Sequence, residues 1–457
     1  MSILRSAIAV AVVLIAVETG SEARAGAPRR PGGAESVYLQ DVRFALDEIE
    51  KRCGHFFPVK KIDWKAVRKE FLEKAAKVKS DQEHLVLLVK LLARLRDGHA
   101  SLRPLEKGKA VKWPDDGSRD FTGPGMFLCR SGGKVLVKSS WGPAQAAGVL
   151  PGMEVVKVNG GPVAKWLAAK VAELSETRSF STDHQAYSYA CHWGLAAKPG
   201  TKLRLELRGV DGKKVERTLT YSRASVVPEG PAVLPSGLKG SSDLQYGTTP
   251  DGYGYIHVRR CPGNLPELTD GALAALGDVP GMILDFRGNS GGGMDHDAFL
   301  GRFVPQGRSI RFAKGYASAG PSPYGGPVVV IVDATVRSTG ETASGIFKED
   351  GRGYMIGECP TAGMSSGKAT IDLPSRLFSL YVSVSSNKGR FNGGRGIEGI
   401  GVIPHETVEL EAADLAKGVD TLIRRAEGIL KDFPKGKVPY DPAAFGWKKD
   451  GAGKSQS

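Results

Sequence analysis

Four stretches of this chain carry residue types whose spacing suits acyl-transfer chemistry. In VVVIVDATVRSTGE, residues 328–341, an apolar run passes through a short polar connection into a helical pattern, and Ser338 stands just before the helix. A serine there can expose its hydroxyl as a nucleophile, while the unpaired N–H groups of the first helical turn can stabilise a developing oxyanion. Read alone, Ser338 or Thr339 is equally an N-cap, the commoner role for such a residue. In LDFRGNSGGG, residues 284–293, a second apolar strand meets a glycine-rich turn. Glycines let backbone approach a ligand closely, but the lysine and spacing of a phosphate-binding loop are missing. His99 ends the run Arg96-Asp97-Gly98-His99, and Glu398 lies among glycines in GIEGIGVIP, residues 396–404. Taken singly, each is also an ordinary helix-end or turn residue.

The 457 residues are 41% hydrophobic, enough for two or three domains rather than one core. Residues 1–25 read as an export signal: Arg5 gives a positive start, Ala7 to Val17 an apolar stretch, and Ala23-Arg24-Ala25 a small-x-small cleavage site. The alternative is an uncleaved anchor, but the stretch is short of the roughly 20 residues that span a bilayer. No later segment reads as transmembrane. The net charge of +14 is unchanged by loss of the signal, which removes Arg5, Arg24, Glu18 and Glu22. The basic residues are spread along the chain without zinc-finger spacing or a compact basic helix, so the charge is surface character and no specific nucleic-acid partner is expected. Cys53, Cys129, Cys191, Cys261 and Cys359 are widely spaced, with no CxxC pair, which argues against a structural zinc site. In an odd set at least one thiol stays unpaired within the chain.

The elements that must position these residues follow from periodicity. Residues 37–106 carry three amphipathic helical patterns and form a helical N-terminal domain. Residues 122–222 contain short strands and turns, with helical stretches between 162 and 195, and form a compact β-rich domain. A Pro-, Gly- and Ser-rich linker covers 223–250. Residues 251–432 alternate strands with helices and form an α/β layer; the run from Gly326 to Val332 suits a strand covered on both faces. Residues 433–457 read as a flexible tail.

This order resembles the S41 peptidases, the tail-specific or C-terminal-processing proteases, over roughly residues 40–412. Leu284 to Gly292 is similar to the family's DLRgNpGG loop, Ser338-Thr339-Gly340-Glu341 falls at its SAxE nucleophile motif, and Gly357 to Gly363 falls at GepTfG. Ala147 to Gly160 resembles a PDZ pattern, with Gly125, Met126, Phe127 and Leu128 where that family binds a peptide carboxylate. In such domains a peptide adds as a strand. The resemblance implies a multidomain α/β protein: a helical N-terminal domain, a PDZ-like domain and a ClpP/crotonase-like protease core.

Thr339 replaces the usual alanine, and one departure bears on mechanism. The lysine base of the serine–lysine branch directly follows GepTfG, and Met364 occupies that position here. A thioether is no base. Lys368, four residues later, is an alternative only if the loop is rearranged. The branch resembling the tricorn core protease instead uses a histidine ahead of the PDZ domain and a late acid, which fits His99 and Glu398. The resemblance therefore implies a serine endopeptidase with Ser338 as nucleophile, His99 as base and Glu398 orienting it. Gly291 or Gly292, with Thr339, would supply the oxyanion N–H groups. No metal or organic cofactor is required, and protein or peptide substrates, recognised through their C-termini, would be the partners. The competing reading is a catalytically silent member of the same fold that binds peptides as a scaffold.

Overall fold

The computed structural model describes residues 35–114, 123–222, 229–306, 309–311 and 315–433. The expected export signal and all but the first residue of the expected tail lie outside the described residues. The chain divides into two compact units.

Of the described residues, the first unit takes 35–114 together with Glu173–Ser179 and Lys368–Val384. Its helices Val37–Cys53, Trp64–Ala75 and Asp81–Ala93 start at Ser36, Asp63 and Ser80, each of whose side chains accepts a first-turn N–H. Such caps satisfy donors that the helix itself cannot. Val42, Leu46 and Ile49 recur at helical spacing and pack with Phe71 and Leu88. The same core holds Ile371, Leu380 and Val382, from a sheet in which Ser101–Pro104 and Gly367–Asp372 flank Phe378–Ser385. The fully buried Asp41 ties helix to sheet: its carboxylate lies 3.0 Å from His84 Nε2 and accepts the Ser375 N–H at 2.8 Å.

The second unit takes the described residues within 123–172, 180–367 and 385–433. One of its sheets runs in the order Met126–Ser131, Lys134–Ser140, Glu154–Val158, Lys202–Arg208, Lys214–Thr220, with Gly161–Pro162 paired to the third strand. Met126–Ser131 is an edge strand.

The other large sheet is built around parallel strands Gly254–Val258, Met282–Asp285, Val328–Val332 and Tyr354–Gly357. Side chains alternate along a strand. Val328, Val330 and Val332 accordingly join a core with Phe299 and Phe347, while Val329 and Ile331 join another with Leu422 and Ala426. Burial on both faces explains the unbroken apolar run of Val328–Val332.

The ClpP/crotonase-like core expected for residues 251–432 is corrected here. Among the described residues the observed sheet is a single open one of seven strands. Glu406–Thr407 extends its parallel part, and the other side is finished by antiparallel Leu244–Thr248 and Lys239–Gly240. Leu244 and Gly240 precede the expected boundary, so what reads as linker is partly sheet. Residues 368–384 leave this layer and complete the core of the helical unit. Hydrophobic alternation identifies strands but does not say which sheet receives them.

All five cysteines are free thiols. No helix among the described residues is long and apolar enough to cross a membrane.

Candidate active site

In open parallel sheets, ligand sites form beyond the carboxyl ends of the strands. Here Met282–Asp285 and Val328–Val332 are adjacent and parallel, so the glycine loop that follows the first and the Ser338 turn that follows the second emerge side by side.

Ser338 precedes the helix Thr339–Glu349 with φ 55° and ψ −125°. Ordinary N-caps adopt extended angles, as Ser36 (−61°, 146°), Ser80 (−144°, 157°) and Thr182 (−139°, 159°) do. Ser338 is instead held where side chains rarely sit, at a cost of about 1–3 kcal/mol that surrounding contacts must offset. Those contacts are explicit. The Arg337 N–H donates to the Asn289 carbonyl at 3.0 Å, and the Gly340 N–H to the Arg337 carbonyl at 2.9 Å. The Ser338 N–H donates to Glu341 Oε2 at 3.1 Å. A sharp strand-to-helix turn of this kind presents a side chain outward.

Asn289 shapes the facing loop. Its side chain accepts the Gly291 N–H at 2.8 Å and donates to the Val258 carbonyl at 2.8 Å. Gly291 has φ +84°, and a methyl on it would lie 2.8 Å from the Ser338 Cβ. The Gly291 N–H is thus engaged within its own loop. Gly292 is exposed, and its carbonyl accepts from the Thr339 hydroxyl at 2.5 Å. The Thr339 N–H sits at the first helical position, where no intrahelical acceptor exists. Gly292 and Thr339 therefore flank the serine.

Glu398 belongs to the same unit and is 3% exposed. The Ser181 hydroxyl lies 3.5 Å from its Oε1. Met364 is buried, and Gln185 Nε2 lies 3.1 Å from its sulfur. The base position of the serine–lysine motif is thus filled by a thioether against a neutral amide.

Sequence reasoning missed two features. The first is Glu341, fully buried, whose Oε1 accepts from Thr361 Oγ1 and the Gly363 N–H, both at 2.6 Å, and whose Oε2 accepts the Met364 N–H at 2.8 Å as well as that of Ser338. Burial pushes its carboxyl up to about 7, against the pull of these donors and with a further rise from the charge of Glu398. The Ser-x-x-Glu spacing of a capping box was the available signal. The second is the start of the helix Asp183–Cys191: Thr182 donates to the Ala362 carbonyl at 3.0 Å, and His184 Nε2 lies 2.7 Å from the Thr361 carbonyl. No local pattern marks a contact between residues so far apart in sequence.

His99 and Lys368 belong to the first unit. The His99 N–H donates to Asp97 Oδ1 at 2.9 Å, and the same carboxylate accepts the Ser383 N–H at 2.8 Å, pinning the loop to its sheet. Burial pulls the imidazole down to about 4, aided by the charges of Lys368 and Lys60 and opposed by Asp97. His99 is therefore neutral, the proton-accepting form, at ordinary pH.

The stretch expected to bind a peptide carboxylate begins at Gly125, whose carbonyl accepts the Trp141 N–H at 2.6 Å. Met126, Phe127 and Leu128 are buried, and the Phe127 ring meets His192 edge-on at 4.7 Å. Among the described residues no group of three or more His, Cys, Asp or Glu is arranged for a metal ion.

Comparison with known proteins bears on this arrangement. The model of "Peptidase family S41" matches residues 252–408, which include Ser338, the glycine loop and Glu398. The carboxy-terminal processing protease CtpB of Bacillus subtilis is 25% identical over 72% of this chain and 60% of its own length. The chloroplastic C-terminal processing peptidase of Tetradesmus obliquus is 24% identical over 76% of this chain and 72% of its own length. Among solved structures, mature CPAF superposes with a TM-score of 0.61 at 14% identity, covering 86% of this chain and 96% of that one. The chain therefore has an S41-type peptidase fold and distant homology to these proteases, and the CPAF match bears out the correction of the ClpP/crotonase expectation.

Proposed function

We propose that the chain is an exported serine endopeptidase acting on protein or peptide substrates, with Ser338 as nucleophile. The observation that carries this reading is the backbone of Ser338. A positive φ at a non-glycine residue, facing a glycine that leaves no room for a methyl, is a costly arrangement for a mere helix cap.

His99 removes the proton from Ser338 Oγ as that oxygen bonds to the substrate carbonyl carbon, and Glu398 orients the imidazole. The oxyanion takes the N–H groups of Gly292 and Thr339. Collapse of the intermediate breaks the C–N bond, and His99 returns the proton to the leaving amine. Water then opens the acyl-enzyme by the reverse route. Support for His99 over Lys368 is its neutral state, together with Met364 at the motif's base position. The edge strand Met126–Ser131, opening at Gly125, takes the substrate C-terminus by strand addition.

The buried Met364 favours one competitor, a catalytically silent peptide-binding protein. Labelling with a fluorophosphonate separates the two. Labelling of the wild type, lost in Ser338→Ala and His99→Ala and kept in Lys368→Ala, supports the proposal. Absence of labelling at Ser338 supports the silent protein, and loss in Lys368→Ala with retention in His99→Ala overturns the histidine assignment.

A further inference from the structure

The four donors gathered on Glu341 exceed what a helix cap needs. In a capping box the glutamate at the third helical position accepts the cap residue's own N–H; that accounts for Ser338 and nothing else. The remaining three donors, Thr361 Oγ1 and the N–H groups of Gly363 and Met364, all belong to one loop. We infer that Glu341 is a positioning residue for the reaction at Ser338: its carboxylate, taking two donors on each oxygen, locks the strained Ser338 turn and the Thr361–Met364 loop into one piece. This rests on the reading of Ser338 as nucleophile.

The chemistry of the group makes the inference specific. An ionised carboxylate accepts at both oxygens and donates nothing, so it can take all four bonds. A glutamine offers one accepting oxygen and turns its amide hydrogens toward the other two donors. The anion is therefore the form that accepts all four at once, although the side chain is fully buried and that burial disfavours charge. Neighbouring contacts leave the carboxylate little freedom. Gly340, beside it, has no space for a side chain because Asn289 Oδ1 fills it. Thr361 also accepts the Val402 N–H at 2.7 Å through its hydroxyl, and the Gly363 carbonyl accepts the Gly399 N–H at 2.8 Å. The loop held by Glu341 thus reaches the segment that carries Glu398. Loss of the carboxylate would free the Ser338 turn to relax from its positive φ and would release the Glu398 segment together with it.

The test compares wild type with Glu341→Gln on the full chain. The expected result is a fall in kcat per folded molecule on the order of 10²-fold, the scale of a small misplacement of a reacting group, with KM unchanged. Hydrogen exchange read by mass spectrometry is expected to rise together in residues 336–345 and 361–366, while the hairpin Lys202–Arg208 and Lys214–Thr220 stays as in wild type. A purely structural role would lower the folded fraction and leave kcat per folded molecule intact. An unchanged kcat, or exchange that rises in one segment without the other, overturns the inference. If the wild type neither hydrolyses peptides nor labels at Ser338, the nucleophile reading fails, and paired exchange still decides whether Glu341 joins the two segments.

Discussion

Gly291 and Ser338 approach so closely that a methyl on the glycine would stand 2.8 Å from the serine Cβ and 3.4 Å from its hydroxyl oxygen. The glycine also has φ +84°, which other residues adopt at a cost. Gly291→Ala is expected to abolish fluorophosphonate labelling of Ser338 and to destabilise the chain by about 1–3 kcal/mol. Gly271→Ala is the control. That glycine lies inside the helix Leu265–Leu276 with open space around it, so alanine should stabilise by up to about 1 kcal/mol. Thermal unfolding and labelling of both variants check this.

The His99 imidazole titrates at about 4, below its ordinary 6.5. Nuclear magnetic resonance of the ring is expected to show it neutral from pH 5 to 8. In Lys368→Ala the midpoint moves up, because one of the charges opposing protonation is gone. A midpoint that stays in place would mean that Lys368 does not act on His99.

Glu341 loses its proton around pH 7, and only the ionised form accepts all four donors at once. Labelling of Ser338 is therefore expected to fall as pH falls through about 7, a limb distinct from that of His99 near 4. The sign for stability is opposite. The folded carboxyl binds its proton more tightly than the unfolded one, whose ordinary value is 4.5, so this group's contribution to stability is full below 4.5 and is lost as pH rises through 7. A pH series of labelling beside thermal unfolding reads both, and Glu341→Gln should lose the limb near 7.

Arg287 donates to Asp285 at 2.6 Å and to Asp420 at 3.0 Å, and all three side chains are buried. Burial alone would raise the Asp285 carboxyl, but Arg287 more than offsets that and holds it below its ordinary value. Arg287→Leu leaves two buried carboxylates without their cation and is expected to cost about 3–5 kcal/mol in urea unfolding. Arg425→Ala removes an exposed partner of Glu406 and should cost under about 1 kcal/mol.

What the sequence determined by itself is local. The run at 328–332 is legible as a buried strand because every side chain along it is apolar, and the run at 282–285 because Met282, Ile283 and Leu284 are. Ser338 is legible as a residue at a strand-to-helix turn, and Met364 as a missing base, because each sits inside a contiguous motif. The tertiary structure decided what proximity requires. Only the parallel pairing of Met282–Asp285 with Val328–Val332 places Gly291 against Ser338 and makes the positive φ at the serine visible. Only folding gathers Thr361, Gly363 and Met364 on Glu341, turns the Gly291 N–H inward to Asn289, and sends residues 368–384 to the helical unit. Periodicity records which face of an element is apolar. A hydrogen bond between residues 20 or 180 positions apart, such as Thr361 to Glu341 or Thr182 to Ala362, leaves no trace in it.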